Sequence, residues 1–421
     1  MLVEFSVENY LSFKERATLS MVATTRKELV EEATFEAGVL RLLKSATIYG
    51  ANASGKSNLF KAMEFMRRFV LKSAELRTEI DVTPFLFSTE TENEPSSFEM
   101  VFIRGGIQYR YGFSVDRQKV HREWFFYIPK KIETVLFNRE GDKIAESNSK
   151  FPEAKELISK TRPDTLLLTI AAQFNSKIAL EIVNWFTNFI PVSGMRDNYH
   201  YTFDLIEKHP ECLDKVRQII KAGDIGIEDL VIRKSEVPKE ETPEQVRMLI
   251  ESFKKPVNKF FKIEVDALHQ KYDANSKPTD LRKIEFAKYE SDGTKKLLSL
   301  LGPILDALLN GKVLFIDEME VGLHPHLSEL LVKMFNAVEY NSKHAQVILT
   351  THNTHLLNIN LFRRDQIWFT AKDRFGGSKL NSLSDFRKRK DASLEKDYLQ
   401  GLFGAIPIIQ EDLLKELECN S

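Results

Sequence analysis

Eight consecutive residues near the start of the chain have the types and spacing of a phosphate-binding loop. Gly50 and Gly55 bracket four residues, and Lys56 and Ser57 follow directly, which gives the pattern G-x-x-x-x-G-K-S. Glycines let backbone N–H groups approach a phosphate, and the lysine reaches its outer oxygens. The serine hydroxyl is a ligand for Mg²⁺. The pattern therefore predicts binding of a nucleoside triphosphate.

The residues on both sides supply the elements that would position such a loop. Ser45–Tyr49 is typical of a short β-strand, and Asn58–Met66 has the apolar spacing of a helix. Strand, loop and helix in this order are the context in which the motif binds phosphate, because a helix N-terminus favours negative charge. A Gly/Ser turn before a helix is the alternative. The residues expected to contact the nucleotide are Gly50, Asn52, Ala53, Ser54, Gly55, Lys56, Ser57 and Asn58.

Two adjacent carboxylates follow an apolar run in the second half of the chain. Lys312–Ile316 has the length and composition of a buried parallel strand, and Asp317 and Glu318 come directly after it. The carboxyl ends of such strands are where α/β sheets bind ligands. We expect Asp317 to hold Mg²⁺ and Glu318 to polarise the water that attacks the γ-phosphate. The alternative is a strand that simply ends in solvent.

A histidine follows a second apolar run of the same design. Gln346–Thr351 is predicted as a strand, and His352 comes next. A histidine there can donate a hydrogen bond to a γ-phosphate oxygen and so respond to its presence. Taken alone, a histidine at a strand end is usually structural. The order of phosphate loop, acidic strand and histidine strand favours the functional interpretation.

The composition is that of an ordinary soluble protein. Of 421 residues, 43% are hydrophobic and 29% are charged, and the net charge is −1. Cys212 and Cys419 lie far apart, which fits a reducing cytoplasm, and no apolar run reaches the roughly 20 residues that cross a bilayer. We therefore expect a cytoplasmic protein without membrane contact. Because the charge is balanced, DNA binding would need a local patch; Arg387–Lys390 is the candidate, and a solvated basic face is the alternative.

The remaining patterns predict two insertions in an α/β fold. Strand-like runs over residues 80–140, with a hairpin signal at Gly105-Gly106, predict an antiparallel sheet after the first helix. Helical spacing recurs from Ile178 to Phe189 and from Val246 to Phe253. The predicted divisions are an N-terminal half with the β-rich region (1–175), a helical insertion (176–260), a C-terminal half with the acidic and histidine strands (261–375) and a tail that is a candidate partner contact (376–421).

Together these motifs resemble the ABC-type ATPase heads of SMC, RecF and OLD proteins, and in particular the RloA/AbiLi-like AAA ATPases of bacterial phage-defence loci. The resemblance implies a P-loop NTPase fold of the ABC-ATPase head type, with the antiparallel region and the helical insertion added, and hydrolysis of ATP with Mg²⁺. Besides the phosphate loop and the acidic and histidine strands, it is carried by Phe5–Phe13, Glu290–Thr294, Gly322–Pro325, Arg364–Phe369 and Tyr398–Pro407.

The resemblance also implies roles for residues outside the phosphate loop. Ser291 and Gly293, which precede an apolar helix, would contact the γ-phosphate held by another subunit, whereas capping a helix is the ordinary role of such residues. His352 would be the switch histidine. Gln173 would contact Mg²⁺, and an ordinary polar residue at the end of an element is the alternative.

The function implied by the resemblance is an Mg²⁺-dependent ATPase switch of bacterial antiphage defence, of the abortive-infection type. Its subunits would form a homodimer or higher homo-oligomer around ATP. They would control a separate effector protein, a nuclease or a toxin, since about fifty residues beyond Phe369 are too few for an OLD-type nuclease domain. Two alternatives stay open: a RecF- or SMC-like repair ATPase that binds DNA, and an ATP-stabilised scaffold that sequesters a toxin.

Overall fold

The computed structural model describes most of the chain, and its described part divides into two compact units. The described residues are 1–75, 79–129, 132–195, 199–223, 226–237, 260–386 and 394–406, without the side chains of 260 and 261. The first unit comprises Met1–Met195, Ala307–Glu320 and Ser328–Ser421. The second comprises Arg196–Asp306 and Val321–Leu327.

The strands account for most of the regular structure. In chain order they are β1 (Leu2–Glu8), β2 (Ala17–Ser20), β3 (Thr34–Ala37), β4 (Leu40–Leu43), β5 (Ser45–Gly50), β6 (Ser96–Arg104), β7 (Ile107–Val115), β8 (Val120–Ile128), β9 (Thr134–Glu140), β10 (Lys143–Ser147), β11 (Phe189–Ser193), β12 (Ile227–Val237), β13 (Phe260–Tyr272), β14 (Pro278–Glu285), β15 (Val313–Asp317), β16 (Gln346–Thr350), β17 (Ile367–Lys372) and β18 (Ser378–Ser382).

The helices are mostly short. In chain order they are α1 (Val30–Ala33), α2 (Lys56–Lys72), α3 (Glu153–Leu157), α4 (Leu167–Gln173), α5 (Lys177–Thr187), α6 (Tyr199–Lys208), α7 (Glu211–Ala222), α8 (Phe286–Tyr289), α9 (Asp292–Asn310), α10 (Pro325–Asn336) and α11 (Leu394–Leu399). Single 3₁₀ turns occupy Ser73–Glu75, Ile158–Lys160, Thr354–Leu356, Arg364–Gln366 and Leu383–Asp385. Among the described residues, none of the helices combines the length and the apolar character needed to cross a lipid bilayer.

A six-stranded sheet in the first unit carries the predicted chemical motifs. Its strand order is β11-β15-β16-β5-β17-β18, with every neighbouring pair parallel except the last. All residues of β5, β15 and β16 are buried, which is typical of parallel strands covered on both faces. The phosphate loop, the acid pair and His352 follow these three strands. The predicted α/β sheet is therefore confirmed, and its motif-bearing strands are adjacent.

The predicted antiparallel insertion is also confirmed, and it extends the N-terminal strands. Strands β6 to β10 join β1 and β2 in a seven-stranded sheet of order β10-β9-β8-β7-β6-β1-β2. Gly105 and Gly106 form the β6–β7 turn, and both have positive φ (56° and 76°), the conformation that a two-residue hairpin of this kind needs.

Helix α2, which follows the phosphate loop, packs against the six-stranded and the seven-stranded sheets of the first unit. The ring of Phe60 meets Phe315 of β15 at a centroid distance of 5.2 Å, and Phe65 lies 4.8 Å from Phe98 of β6. Both helix residues belong to one buried cluster that includes strands of both sheets. Full burial of an aromatic side chain contributes about 2 kcal/mol, so the helix that begins at Lys56 is anchored by the main core.

Part of the predicted helical insertion (176–260) is strand, which corrects that description. Helices α5, α6 and α7 are present, but Phe189–Ser193 forms the edge strand β11 beside β15, and β12 is a further strand. The apolar residues keep helical spacing as far as Phe189. Phe189 instead begins strand β11, and its side chain is buried in the core. The second helical run, Val246 to Phe253, lies outside the described residues, as does Arg387–Lys390.

Strand β18 and the described residues after it are part of the first unit. The boundary predicted at residue 375 cuts the antiparallel β17–β18 hairpin, whose pairing runs from Lys372 with Ser378 to Trp368 with Ser382. Beyond it, the Phe403 ring stacks on Phe369 of β17 at 4.4 Å. The described part of the tail therefore contributes to the fold of this unit.

The second unit, taken by itself, combines helices with a three-stranded antiparallel sheet of order β12-β13-β14. Helix α6 crosses α9 closely, because the Thr202 hydroxyl donates to Leu298 O (2.6 Å) and accepts from Gly302 N (3.0 Å). A side chain at Gly302 would overlap the Thr202 backbone, so glycine is required at that crossing.

Candidate active site

The phosphate loop turns sharply between β5 and α2. Ser54 N donates to Ala51 O at 3.2 Å, and α2 begins at Lys56, with Leu59 N bound to Gly55 O at 3.0 Å. Ala53 and Gly55 have positive φ values of 61° and 118°. The φ of Gly55 lies where side chains are strongly disfavoured, so this position needs glycine.

The loop glycines are also required by the strands packed behind the loop. A β-carbon on Gly50 would overlap Thr370 Oγ1 of β17, and one on Gly55 would overlap Ser378 Oγ of β18. The Ser54 hydroxyl bonds that of Thr370 at 2.7 Å. Sequence reasoning assigned these glycines to phosphate contact alone, whereas their packing on β17 and β18 depends on long-range register.

Lys56 lies buried beneath the loop. Its Nζ donates to Gly50 O at 2.8 Å and Ala51 O at 3.1 Å. Burial lowers the pKa of Lys56 to about 8, opposed by the carboxylates of Glu320, Asp317 and Glu318. The ammonium therefore stays mostly protonated at neutral pH and is held at the loop, where a phosphate would replace its carbonyl partners.

The acid pair lies at the end of β15, as predicted, and a neighbouring threonine joins its two members. Asp317 is buried, and its Oδ1 accepts a hydrogen bond from Thr350 Oγ1 at 2.7 Å. The same hydroxyl accepts from Glu318 N at 2.8 Å. Burial raises the pKa of Glu318, Asp317 and Glu320 raise it further, and Lys56 opposes them. A carboxylate of raised pKa suits a general base.

His352 follows β16 in a loop fixed by a third acid. Its backbone N donates to Glu320 Oε1 at 2.5 Å, and its side chain remains exposed. Desolvation lowers the pKa of His352, and nearby Lys56 adds to the effect, while Glu320 and Asp317 oppose it. The imidazole is therefore neutral at neutral pH, with one donor and one acceptor nitrogen.

The residues present fit a nucleoside triphosphate with Mg²⁺. Asn52 and Ala53 are exposed on the loop, and Ser57 is half-buried in the first turn of α2. Asp317 uses one carboxylate oxygen for Thr350; among the described residues the other has no hydrogen-bond partner. No three His, Cys, Asp or Glu side chains of the described part converge on a protein-only metal site. A serine hydroxyl and a carboxylate oxygen suit Mg²⁺, which retains water and phosphate ligands.

Asn58 and Gln173 are less directly placed than the other predicted residues. The Asn58 amide donates to Ser12 Oγ at 2.7 Å, which ties α2 to the turn after β1. Gln173 is the exposed last residue of α4, and within the described residues its side chain makes no hydrogen bond. Contact of either side chain with a nucleotide or Mg²⁺ stays a prediction.

Ser291 and Gly293 lie in the second unit. Ser291 Oγ accepts from Thr294 N at 3.2 Å, so it caps α9 as the ordinary interpretation expected. A β-carbon on Gly293 would lie 2.7 Å from Gly322 O, which explains a glycine there by packing. Ser291 is nevertheless exposed at a helix N-terminus, where an anion can bind.

Fold and site together define a P-loop NTPase: a phosphate loop, an acid pair and a histidine lie at the carboxyl ends of adjacent parallel strands. Residues 45–358 match a family model described as an AAA domain, putative AbiEii toxin of type IV toxin–antitoxin systems. Because the match spans most of the chain, the protein belongs to this family. Its narrower placement among RloA/AbiLi-like ATPases stays a prediction.

The structures found to be similar are distant. An SMC head domain from Thermotoga maritima is 12% identical with a TM-score of 0.39, covering 90% of this chain and 98% of that one. An SMC head bound to the C-terminal winged-helix domain of ScpA is 13% identical with a TM-score of 0.41, covering 90% and 97%. Comparison with curated proteins gave no match.

Proposed function

We propose that this protein is an Mg²⁺-dependent ATPase that acts as a switch. The observation that carries the proposal is the adjacency of β15, β16 and β5 in a parallel sheet, because the acid pair, His352 and the phosphate loop then share one edge. The charges of Asp317 and Glu320 act on the pKa values of Lys56, Glu318 and His352, which supports the same grouping.

Each residue has a role in this proposal. Lys56 binds phosphate oxygens in place of Gly50 O and Ala51 O. Ser57 and Asp317 hold Mg²⁺, which neutralises phosphate charge when bound. Glu318, with its raised pKa, orients the attacking water and accepts its proton. Neutral His352 donates a hydrogen bond to a γ-phosphate oxygen.

Assembly around ATP is the second part of the proposal. The exposed N-terminus of α9, with Ser291 and Gly293, has the donors to bind the γ-phosphate held by a second copy of the chain. Each site would then need two copies, so the protein would be a homodimer or a larger homo-oligomer. Nucleotide binding would close the assembly, and hydrolysis would open it.

The biological role is the third part. The matching family is described with a putative toxin of a type IV toxin–antitoxin system, which supports a role in abortive-infection defence through a separate effector. The proposal extends to a RloA/AbiLi-like ATPase that works in the cytoplasm and contacts a partner through its tail (376–421).

The ATPase proposal is tested by steady-state hydrolysis of Mg²⁺–ATP and equilibrium ATP binding. Glu318→Gln should lower kcat by about 100-fold or more while retaining ATP binding, because the base is lost but not the phosphate contacts. Lys56→Ala should lose ATP binding. Lys61→Ala, on the exposed face of the same helix, is the matched control and should behave as wild type. Wild-type turnover by Glu318→Gln would contradict the proposal.

A scaffold that holds a toxin in an ATP-dependent complex is a second candidate, favoured by the toxin in the family description. In that case wild-type turnover would be slow, and Glu318→Gln would retain the partner complex. Stimulation of hydrolysis by DNA, weakening as salt rises, would favour the RecF-like alternative over both.

A further inference from the structure

Glu318 has an unusual backbone conformation for the residue proposed as the base. Its φ is 56°, in the left-handed region that residues with a side chain seldom adopt. Glu318 follows directly after strand β15, so the chain turns at the residue that carries the reactive carboxylate. Such conformations persist only where surrounding contacts hold them, and they concentrate at functional sites.

Thr350 supplies the contacts that hold this turn. It is fully buried at the end of β16, beside β15. Its hydroxyl donates to Asp317 Oδ1 (2.7 Å) and accepts from Glu318 N (2.8 Å), and its carbonyl accepts from Met319 N (3.2 Å). One residue thus orients the carboxylate of one acid and the backbone of the other.

Gly194 supports the turn from the side of β11, the strand that neighbours β15 opposite β16. It follows edge strand β11, and its N donates to Asp317 O at 2.6 Å. A β-carbon at this position would overlap Glu318 O. The turn is therefore enclosed by Thr350 on one side and by Gly194 on the other, and it cannot relax without breaking these contacts.

We propose that Thr350 is a positioning residue for ATP hydrolysis: its hydroxyl holds Asp317 and Glu318 in the relative orientation that the reaction requires. The inference rests on the proposed ATPase function. A hydroxyl is needed because only a group that both donates and accepts can serve a carboxylate oxygen and an amide N–H together. Since Thr350 is fully buried, water does not readily replace it.

The test compares three full-length variants with wild type in kcat, KM for ATP, ATP affinity and thermal unfolding midpoint. Thr350→Val removes the hydroxyl and keeps the shape, and should lower kcat by about 10- to 100-fold with ATP affinity little changed. Thr350→Ser keeps the hydroxyl and should restore kcat to near wild type. If Thr350→Val does not fold, Thr350→Ala takes its place in the comparison.

Thr47→Val is the matched control. Thr47 lies on β5, next to β16, and is as fully buried as Thr350, but its hydroxyl has no hydrogen-bond partner in the described structure. Thr47→Val should leave kcat unchanged. The proposal is overturned by a Thr350→Val kcat within about 2-fold of wild type, by an equal loss in Thr47→Val, or by an equal loss in Thr350→Ser.

A crystal structure of Thr350→Val gives a readout that does not depend on turnover. We expect Glu318 to leave the left-handed region or the Asp317 carboxylate to rotate. An unmoved acid pair would overturn the positioning role even for an active enzyme. If wild type hydrolyses no ATP, the ATPase proposal fails by itself, and this structural comparison still decides whether Thr350 sets the turn.

Discussion

Lys56 is the residue on which the charges of the site converge. Buried beneath its own loop, it has two backbone carbonyls as hydrogen-bond partners and three carboxylates in its electrostatic surroundings. Carbonyl partners compensate an ammonium less completely than a phosphate does, and burial disfavours the charged form. The free protein therefore holds this lysine in a state that a bound triphosphate would stabilise.

This predicts a pH dependence of ATP affinity. The pKa of Lys56 is lowered to about 8 in the free protein, and bound phosphate would raise it. ATP affinity should therefore be nearly constant below about pH 7 and weaken as pH rises through 8, by up to about tenfold per pH unit, since binding must then take up a proton. Equilibrium titrations with a fluorescent ATP analogue, carried out at several pH values from 7 to 10, measure this affinity.

Lys56→Arg is the control for that titration, because arginine stays protonated throughout the range. Its affinity, although weaker from the changed geometry, should be flat from pH 7 to 10. An equal decline in both proteins would assign the pH dependence to another group and contradict the role of Lys56.

Some residues of the site were predictable and others were not. The local sequence pattern is enough to predict the chemical roles of Lys56, Asp317 and His352. Thr350 and Gly194 act across neighbouring strands, and their contacts depend on the register between β11, β15 and β16. Each is an ordinary strand-end residue in the sequence, so no local signal distinguishes it.

At the scale of elements, a buried ion pair joins the antiparallel sheet to α4. Glu123 of β8 and Arg139 of β9 are almost fully buried, at 0% and 1% side-chain exposure, with N and O atoms 3.2 Å apart. The Glu123 carboxylate also accepts from Leu167 N (2.7 Å) and Leu168 N (2.9 Å) at the start of α4. A distant strand therefore caps the helix that ends at Gln173.

Removing one member of this pair should be costly. Glu123→Ala leaves Arg139 buried without its counter-charge and the first turn of α4 uncapped, so we expect a loss of about 3–5 kcal/mol in the free energy of unfolding. Urea unfolding followed by circular dichroism measures it. Arg122 and Glu140, exposed on the same two strands and 3.3 Å apart, provide the control: Glu140→Ala should cost under about 1 kcal/mol. Equal losses would contradict the capping role.

The elements that could be predicted from the sequence are those whose apolar residues follow a single pattern. β15 and β16 are uninterrupted apolar runs of strand length, and both formed as expected. β11 was missed because Phe189 continues the helical spacing of α5, while its pairing with β15 is a long-range effect.

ATP-dependent assembly is a property of the whole molecule. Its most direct test is the molar mass of Glu318→Gln by light scattering, with and without Mg²⁺–ATP. A slow-turnover variant should accumulate the closed form, so the mass should at least double with nucleotide. Ser291→Arg, added to it, should abolish the increase, whereas Ser149→Arg, at an exposed site of the antiparallel sheet region, should not. A monomer under every condition, from a wild-type protein that still hydrolyses ATP, would contradict active sites shared between subunits.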